Sequence, residues 1–311
     1  MNASISDRRP IIRDVTLRDG LQLAQGSLST TDKLHLARTL LADGIDCIEI
    51  GAAVRPDRVP AMADTFELVG MLDDDEREKV WVLVPNLKGA QRAVEAGVRN
   101  IEYVLSVTDS HNRANVGRDT EASVAEIPAI SDLVHGAGGT LQVSLSTAFT
   151  CPFEGEVDPS RVVALLNESR METVDSVALC DTIGQATPAA VASLTRTARE
   201  RFGDDRWLFF HGHDTWGQGV ANSIAALENG ADTVDAALGG LGGCPFAPGA
   251  SGNTATEDLL YALRPGWLTP ERFRSLVQAS LATLDTLGEP QRSRAADAAT
   301  RTSGPHPWSV R

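Results

Sequence analysis

Apolar residues along the chain fall into short runs separated by longer stretches of helical spacing. Runs rich in Val, Ile and Leu at 11–17, 47–52, 81–85, 101–106, 141–147, 176–181, 208–214 and 233–238 predict eight strands. Between them, apolar positions three and four apart predict helices over 30–43, 59–72, 88–96, 121–135, 159–170, 188–202 and 218–229. Strands that alternate with helices of this length pair in parallel through right-handed crossovers.

Three segments repeat one another: Leu-Ala-Asp-Gly-Ile-Asp at 41–46, Val-Glu-Ala-Gly-Val-Arg at 94–99 and Leu-Glu-Asn-Gly-Ala-Asp at 227–232. Each places glycine where a helix ends in a left-handed turn before the next strand. Eight such units in about 240 residues predict a (β/α)8 TIM barrel. An open doubly wound sheet is the alternative, but no G-x-G-x-x-G follows the first strand. After the last strand, a glycine-rich stretch (239–252) leads to predicted helices at 254–263 and 270–287, packed over or beside the barrel mouth. One domain is thus expected over 1–288, with a polar tail, 289–311, short of apolar residues and expected to lack fixed structure. The acidic run 73–76 is expected to be a solvated loop.

The 311 residues are 42% hydrophobic, which excludes disorder for the bulk of the chain. Against 42 acidic residues stand 28 Lys and Arg, a net charge of −14, so the basic footprint of a nucleic-acid binder is missing. The first ten residues hold no apolar stretch and predict no secretory signal, and no apolar run reaches the ~20 residues that span a bilayer. Cys47, Cys151, Cys180 and Cys244 are scattered without a C-x-x-C pair, as in a cytosolic enzyme with free thiols.

Active sites of TIM barrels lie where strands end and βα loops begin. Those ends carry Arg18 and Asp19 after strand one, Glu49 in strand two, Asp181 after strand six, and His211 and His213 in strand seven. Two positions apart on a strand, the two histidines face the same way. Two imidazoles, a carboxylate and a side-chain amide would form a mixed N/O site suited to Mg²⁺ or Mn²⁺, and less to Zn²⁺ because thiolates are missing. A His-x-His pair alone is weak, and Asp181 also reads as a helix cap or turn residue. The joint placement of all these groups at one end of different strands is what gives the reading weight. Cys244, behind a run of glycines (GGLGGCP), sits on a loop able to carry an acid or nucleophile over such a site.

Five segments (TLRDGLQ at 16–22, CPFEGE at 151–156, DTIG at 181–184, HGHDT at 211–215 and GGLGGCPFAPGASGNTATED at 239–258) together resemble the 3-hydroxy-3-methylglutaryl-CoA lyase family of TIM-barrel metallolyases. The likeness runs in register from about 11 to 263. The first and fourth segments are shared with isopropylmalate and homocitrate synthases, whereas the glycine-rich loop is specific to the lyases. The resemblance implies Asp19, His211, His213 and Asn253 as divalent-metal ligands, Arg18 as the catalytic arginine and Cys244 as the loop cysteine. It implies Glu49 and Asp181 as acidic residues of the active site. It further implies a CoA-thioester substrate and a homodimer or higher homo-oligomer, while charge and the lack of a long apolar run predict no nucleic-acid or membrane partner. The implied reaction is a retro-Claisen cleavage between C2 and C3 of a 3-hydroxyacyl-CoA, with His211, Asp181 or Glu49 as the base. A citramalyl-CoA-type lyase or a Claisen-condensing synthase is the alternative.

The departures from the family cluster near the expected substrate. Leu23-Ala24-Gln25 replaces an N-E-x-K stretch, and Gly51-Ala52-Ala53 stands for T-S-F. Ala178-Leu179-Cys180-Asp181 stands for S-L-G-D. Gln22, Gln25, Ala52, Ala53 and Ala178 are therefore expected to line, with Arg18, a roomier and less polar substrate pocket.

Overall fold

The computed structural model describes residues 9–243, 252–301 and 306–310. Eight strands, β1 Ile11–Asp14, β2 Cys47–Ala52, β3 Val80–Val84, β4 Asn100–Ser106, β5 Thr140–Ser146, β6 Ser176–Asp181, β7 Trp207–Gly212 and β8 Thr233–Ala236, each pair in parallel with their chain neighbours. β8 returns to β1, with Asp235 opposite Arg13, and closes the expected barrel. Its helices are α1 Thr30–Ala42, α2 Thr65–Gly70, α3 Leu87–Glu95, α4 Ile127–Gly136, α5 Pro159–Leu166, α6 Pro188–Phe202, α7 Gly219–Glu228 and α8 Thr256–Leu263. α9 Pro270–Leu287 packs beside the barrel against α1 and the turn that follows β8. The repeated glycines behave as their pattern predicts: Gly44, Gly97 and Gly230 have φ of 102°, 82° and 113°, where a side chain would be strained.

Two separate apolar regions result. The main core lies between barrel and helices and includes Ile12, Ile48, Val82, Leu105, Leu179 and Leu208. Inside the barrel a small cluster of Trp81, Ala178, Cys180 and Phe209 shares the space with buried Arg13, Glu49, Glu102 and Gln142. Cys47, Cys151 and Cys180 are free thiols, and burial pushes the Cys47 thiol up to about 12.

Several expectations need correction. Strand one stops at Asp14, because Thr16–Gly20 winds into a π-helical turn closed by the Gly20 amide on the Val15 carbonyl at 3.1 Å. The expected helix over 121–135 divides into Thr120–Val124 and α4, since Pro128 has no N–H to continue the first and suits the first turn of the second. A further helix, Asp109–Val116, escapes the pattern because its sequence is nearly all polar; it buries His111 and Asn112 instead of aliphatic side chains. The acidic run is not a loop but the start of a short helix, Asp74–Arg77, with Asp73 and Glu76 forming a capping box. The tail is also ordered over α10 Arg294–Arg301. The Asp258 carboxylate caps it by accepting from the Ala295 amide at 2.6 Å and the Ser293 hydroxyl at 2.8 Å. Two alanines, Ala296 and Ala299, suffice to bury its inner face. Among the described residues no helix is long and apolar enough to cross a membrane.

Glu257 joins the turn after β8 to the outer helices: both its oxygens accept from the Gly239 amide, at 3.1 and 2.9 Å. Burial pushes its carboxyl from 4.5 up to about 7, against the Ser280 hydroxyl and the amides that favour its charge. The folded protein therefore holds this proton over a pH range in which the unfolded chain has released it. The group's contribution to stability is largest below 4.5 and is lost as pH rises through 7. Glu257→Gln is expected to flatten the stability–pH curve in that window by on the order of 3 kcal/mol, measured by denaturant unfolding at a series of pH values.

Candidate active site

The π-helical turn after β1 sets Arg18 and Asp19 side by side at the barrel's C-terminal end, both nearly buried. Across from them β7 ends in His211 and Gly212, and His213 is bridged to Asn253. His211 Nε2 and His213 Nε2 face each other at 3.3 Å, and Asp19 Oδ2 lies 3.5 Å from His213 Nε2. Asp19, His211 and His213 form a buried group whose ligand atoms all lie within 4.8 Å of one another, close enough to hold a metal ion. Asn253 donates Nδ2 to Asp19 Oδ2 and to the Leu241 carbonyl, both at 2.8 Å, while its buried Oδ1 has no partner among the described residues. Behind His211, Nδ1 lies 3.1 Å from Asp235 Oδ2 and donates to that carboxylate, so Nε2 is the nitrogen that faces the group. The donor set and the orphaned Asn253 oxygen fit an oxygen- and nitrogen-liking divalent ion.

Electrostatics hold the Asp19 carboxyl in its ionised form. Burial opposes ionisation of Asp19, but Arg18 and the two histidines outweigh it and keep the carboxyl well below the usual range. Asp235 is kept near 2 in the same way by Arg13 and His211, again against burial. Arg18 pairs with Asp19 through Nη1 and with Glu49 through Nε at 2.7 Å. Glu49 has no exposure, and burial pushes its carboxyl up to about 8 in spite of Arg18.

A cavity of about 570 Å³ opens above the group, within the usual size for a small-molecule site. Arg18, Asp19, His211, His213, Glu102 and Ser144 line its inner part. Ala52, Ala53, Met62, Leu83 and Val104 form an apolar wall, and Arg55, Arg58, Lys88 and Arg92 stand at the exposed mouth. His111 also lines the cavity, hydrogen-bonded through Nδ1 to Ser106 at 2.7 Å, and burial pushes its pKa down to about 4.

Of the residues expected in the substrate pocket, Gln22, Ala52 and Ala53 line this cavity; Gln25 and Ala178 do not. Gln25 is exposed, its amide bonded to Glu289, because the chain turns outward after Leu21. Ala178 faces the barrel interior with Trp81 and Phe209, beneath the cavity floor. Asp181 is buried outside the cavity lining, and its two oxygens accept from the amides of Gln185 at 3.0 Å and Ala186 at 3.1 Å. Glu49 reaches the site only through Arg18. Cys244 lies outside the described residues, although Gly243 before it lines the cavity. Arg13, Glu102 and Asp235 and the four mouth cations were missed. A charged residue in the middle of an apolar strand run was the available signal for the first three.

Barrel, buried ligand group and cavity together define a TIM-barrel protein with a candidate divalent-metal centre. The chain belongs to the HMGL-like family, whose model matches residues 9–281, and with it to the carbon–carbon lyases. It is 38% identical over 290 residues to the (R)-citramalyl-CoA lyase of Chloroflexus aurantiacus, covering 90% of this chain and 91% of that one. To the hydroxymethylglutaryl-CoA lyase YngG of Bacillus subtilis it is 34% identical, with 92% and 96% covered. An HMG-CoA lyase from Acinetobacter baumannii, solved with coenzyme A and 3-methylmalate, superposes with a TM-score of 0.86 at 34% identity, over 97% of this chain and 98% of that one.

The Asp181 contacts generate a test of its role. Asp181→Ala removes the acceptor of two backbone N–H groups and is expected to lower stability by about 2–3 kcal/mol, read by denaturant unfolding.

Proposed function

We propose that the protein is a divalent-metal-dependent lyase that cleaves the C2–C3 bond of a tertiary 3-hydroxyacyl-CoA, releasing acetyl-CoA and a carbonyl compound. The observation that carries this reading is the convergence of Asp19, His211 and His213 beside Arg18 on the floor of one cavity. Mg²⁺ or Mn²⁺ suits the donor set, with Asn253 Oδ1 as the fourth ligand, and supplies Lewis acidity toward the 3-hydroxyl oxygen. The always-charged guanidinium of Arg18, fixed by Glu49 and Asp19, faces the thioester oxygen and stabilises the enolate as the bond breaks. The 3-hydroxyl proton passes to His211, which of the three expected bases is the one that lines the cavity, as the carbonyl forms, and Cys244, which follows cavity-lining Gly243 in the chain, gives a proton to the enolate carbon. The four cations at the mouth suit the phosphates of coenzyme A, and the apolar wall suits an alkyl branch on C3.

Within this class the geometry favours a citramalyl-type thioester. Among the described lining residues the lone lysine, Lys88, is at the mouth, and Arg18 already serves two carboxylates. A substrate whose carboxylate sits on the carbinol carbon would place that charge beside the divalent ion that Asp19, His211 and His213 would hold, and needs no separate cation. A methylglutaryl thioester carries its carboxylate one carbon further out.

The test is turnover of citramalyl-CoA, 3-hydroxy-3-methylglutaryl-CoA and a longer-branched analogue, with acetyl-CoA and the second product followed by mass spectrometry. Cleavage is expected with kcat/KM above about 10⁴ M⁻¹s⁻¹, lost with chelator and restored by Mn²⁺. Pyruvate as second product identifies the citramalyl substrate, and acetoacetate the methylglutaryl one. Condensation of acetyl-CoA with a 2-oxoacid, without cleavage, would reverse the reading. Asp19→Ala is expected to weaken Mn²⁺ binding by about a hundredfold, as measured by calorimetric titration.

A further inference from the structure

Arg13 lies one hydrogen-bonded step behind the metal group, on β1, with no exposed surface. Its Nε and Nη2 grip Asp235 at both oxygens, 2.9 Å to Oδ1 and 2.7 Å to Oδ2. That same Oδ2 accepts from His211 Nδ1. On the other side Nη1 pairs with Glu102 Oε2 at 2.8 Å and reaches Gln142 Oε1 at 3.4 Å. Phe209 and Trp81 flank the guanidinium, with ring centroids 4.8 and 5.6 Å from its carbon.

We infer that Arg13 is a positioning residue for the metal site, acting through Asp235 to fix the ring of His211. This rests on the metal reading proposed above. A buried ion triad is a poor stabiliser, since removing two or three charges from water costs about as much as their attraction returns. Stability therefore does not account for placing Arg13 between Glu102 and Asp235. Orientation does. A lone carboxylate behind a histidine can rotate about its own Cβ–Cγ bond, whereas a carboxylate held at both oxygens by a planar fork cannot without breaking two short bonds. The fork ties β1 to β8 and, through His211, to β7, so the Nε2 lone pair points where Asp19 and His213 converge. Glu102 and the two rings hold the guanidinium from the opposite side. Arg13 does not line the cavity, so it acts on the ligand group and not on substrate.

The test is calorimetric titration of Mn²⁺ into the chelator-stripped full chain, for wild type, R13M, R13K, D235N and R13M/D235N, each with a thermal melt. R13M is expected to raise the Mn²⁺ Kd about ten- to a hundredfold, as loss of an outer-shell partner does elsewhere. R13K keeps the charge but loses the fork and is expected to fall between R13M and wild type. In the D235N background R13M is expected to add little, because Arg13 acts through Asp235. The inference is overturned if R13M changes Kd by less than about threefold, or if the effects of R13M and D235N multiply. Should R13M fail to melt cooperatively, R13K decides alone, and a Kd within about threefold of wild type overturns the inference. A wild-type protein without saturable Mn²⁺ binding sinks the metal reading itself, an outcome distinct from an unchanged R13M.

Discussion

Six ionisable side chains meet inside this barrel, in a space that related architectures fill with branched aliphatic residues. Arg13 and Arg18 face Asp19, Glu49, Glu102 and Asp235, with Trp81, Phe209 and small residues in the remaining volume. A charge taken out of water must find a partner, so the position of each group is dictated by the others. Arg13 divides itself between Asp235 and Glu102, and Arg18 between Glu49 and Asp19.

The cavity above this cluster is graded. Its mouth is cationic in a chain of net charge −14, its wall is apolar, and its floor carries the acidic ligand group. Such a local field draws an anionic ligand to one opening of an otherwise repelling surface. A long ligand with phosphates at one end and a reactive hydroxyl at the other fits that order, with the hydroxyl innermost. In the proposed reaction the apolar wall would meet the acyl branch while Arg18 and the ligand group meet the reacting atoms, which assigns substrate choice and bond cleavage to different residues.

Much of this was legible in the chain itself. Strand spacing and the glycines at 44, 97 and 230 predicted the closed barrel, because a left-handed helix end and a short apolar run are local properties. Arg18, Asp19, His211 and His213 were readable because a strand end followed by a polar pair is local as well. The helix Asp109–Val116 and the tail helix α10 were not, since the first buries polar residues and the second buries alanines, which carry little apolar weight in a segment rich in charge.

The sequence by itself determined the barrel, the family and the identities of the side chains in the candidate metal group, all of which depend on residue type and spacing along the chain. Tertiary structure alone decided what those side chains touch. It turned Gln25 outward, placed Ala178 below the floor, gave Asp181 to backbone amides, and brought Arg13 of β1 against Asp235 of β8 and Glu102 of β4. Those contacts join residues 89 and 222 positions apart, and barrel closure brings together partners whose spacing along the chain follows no local period.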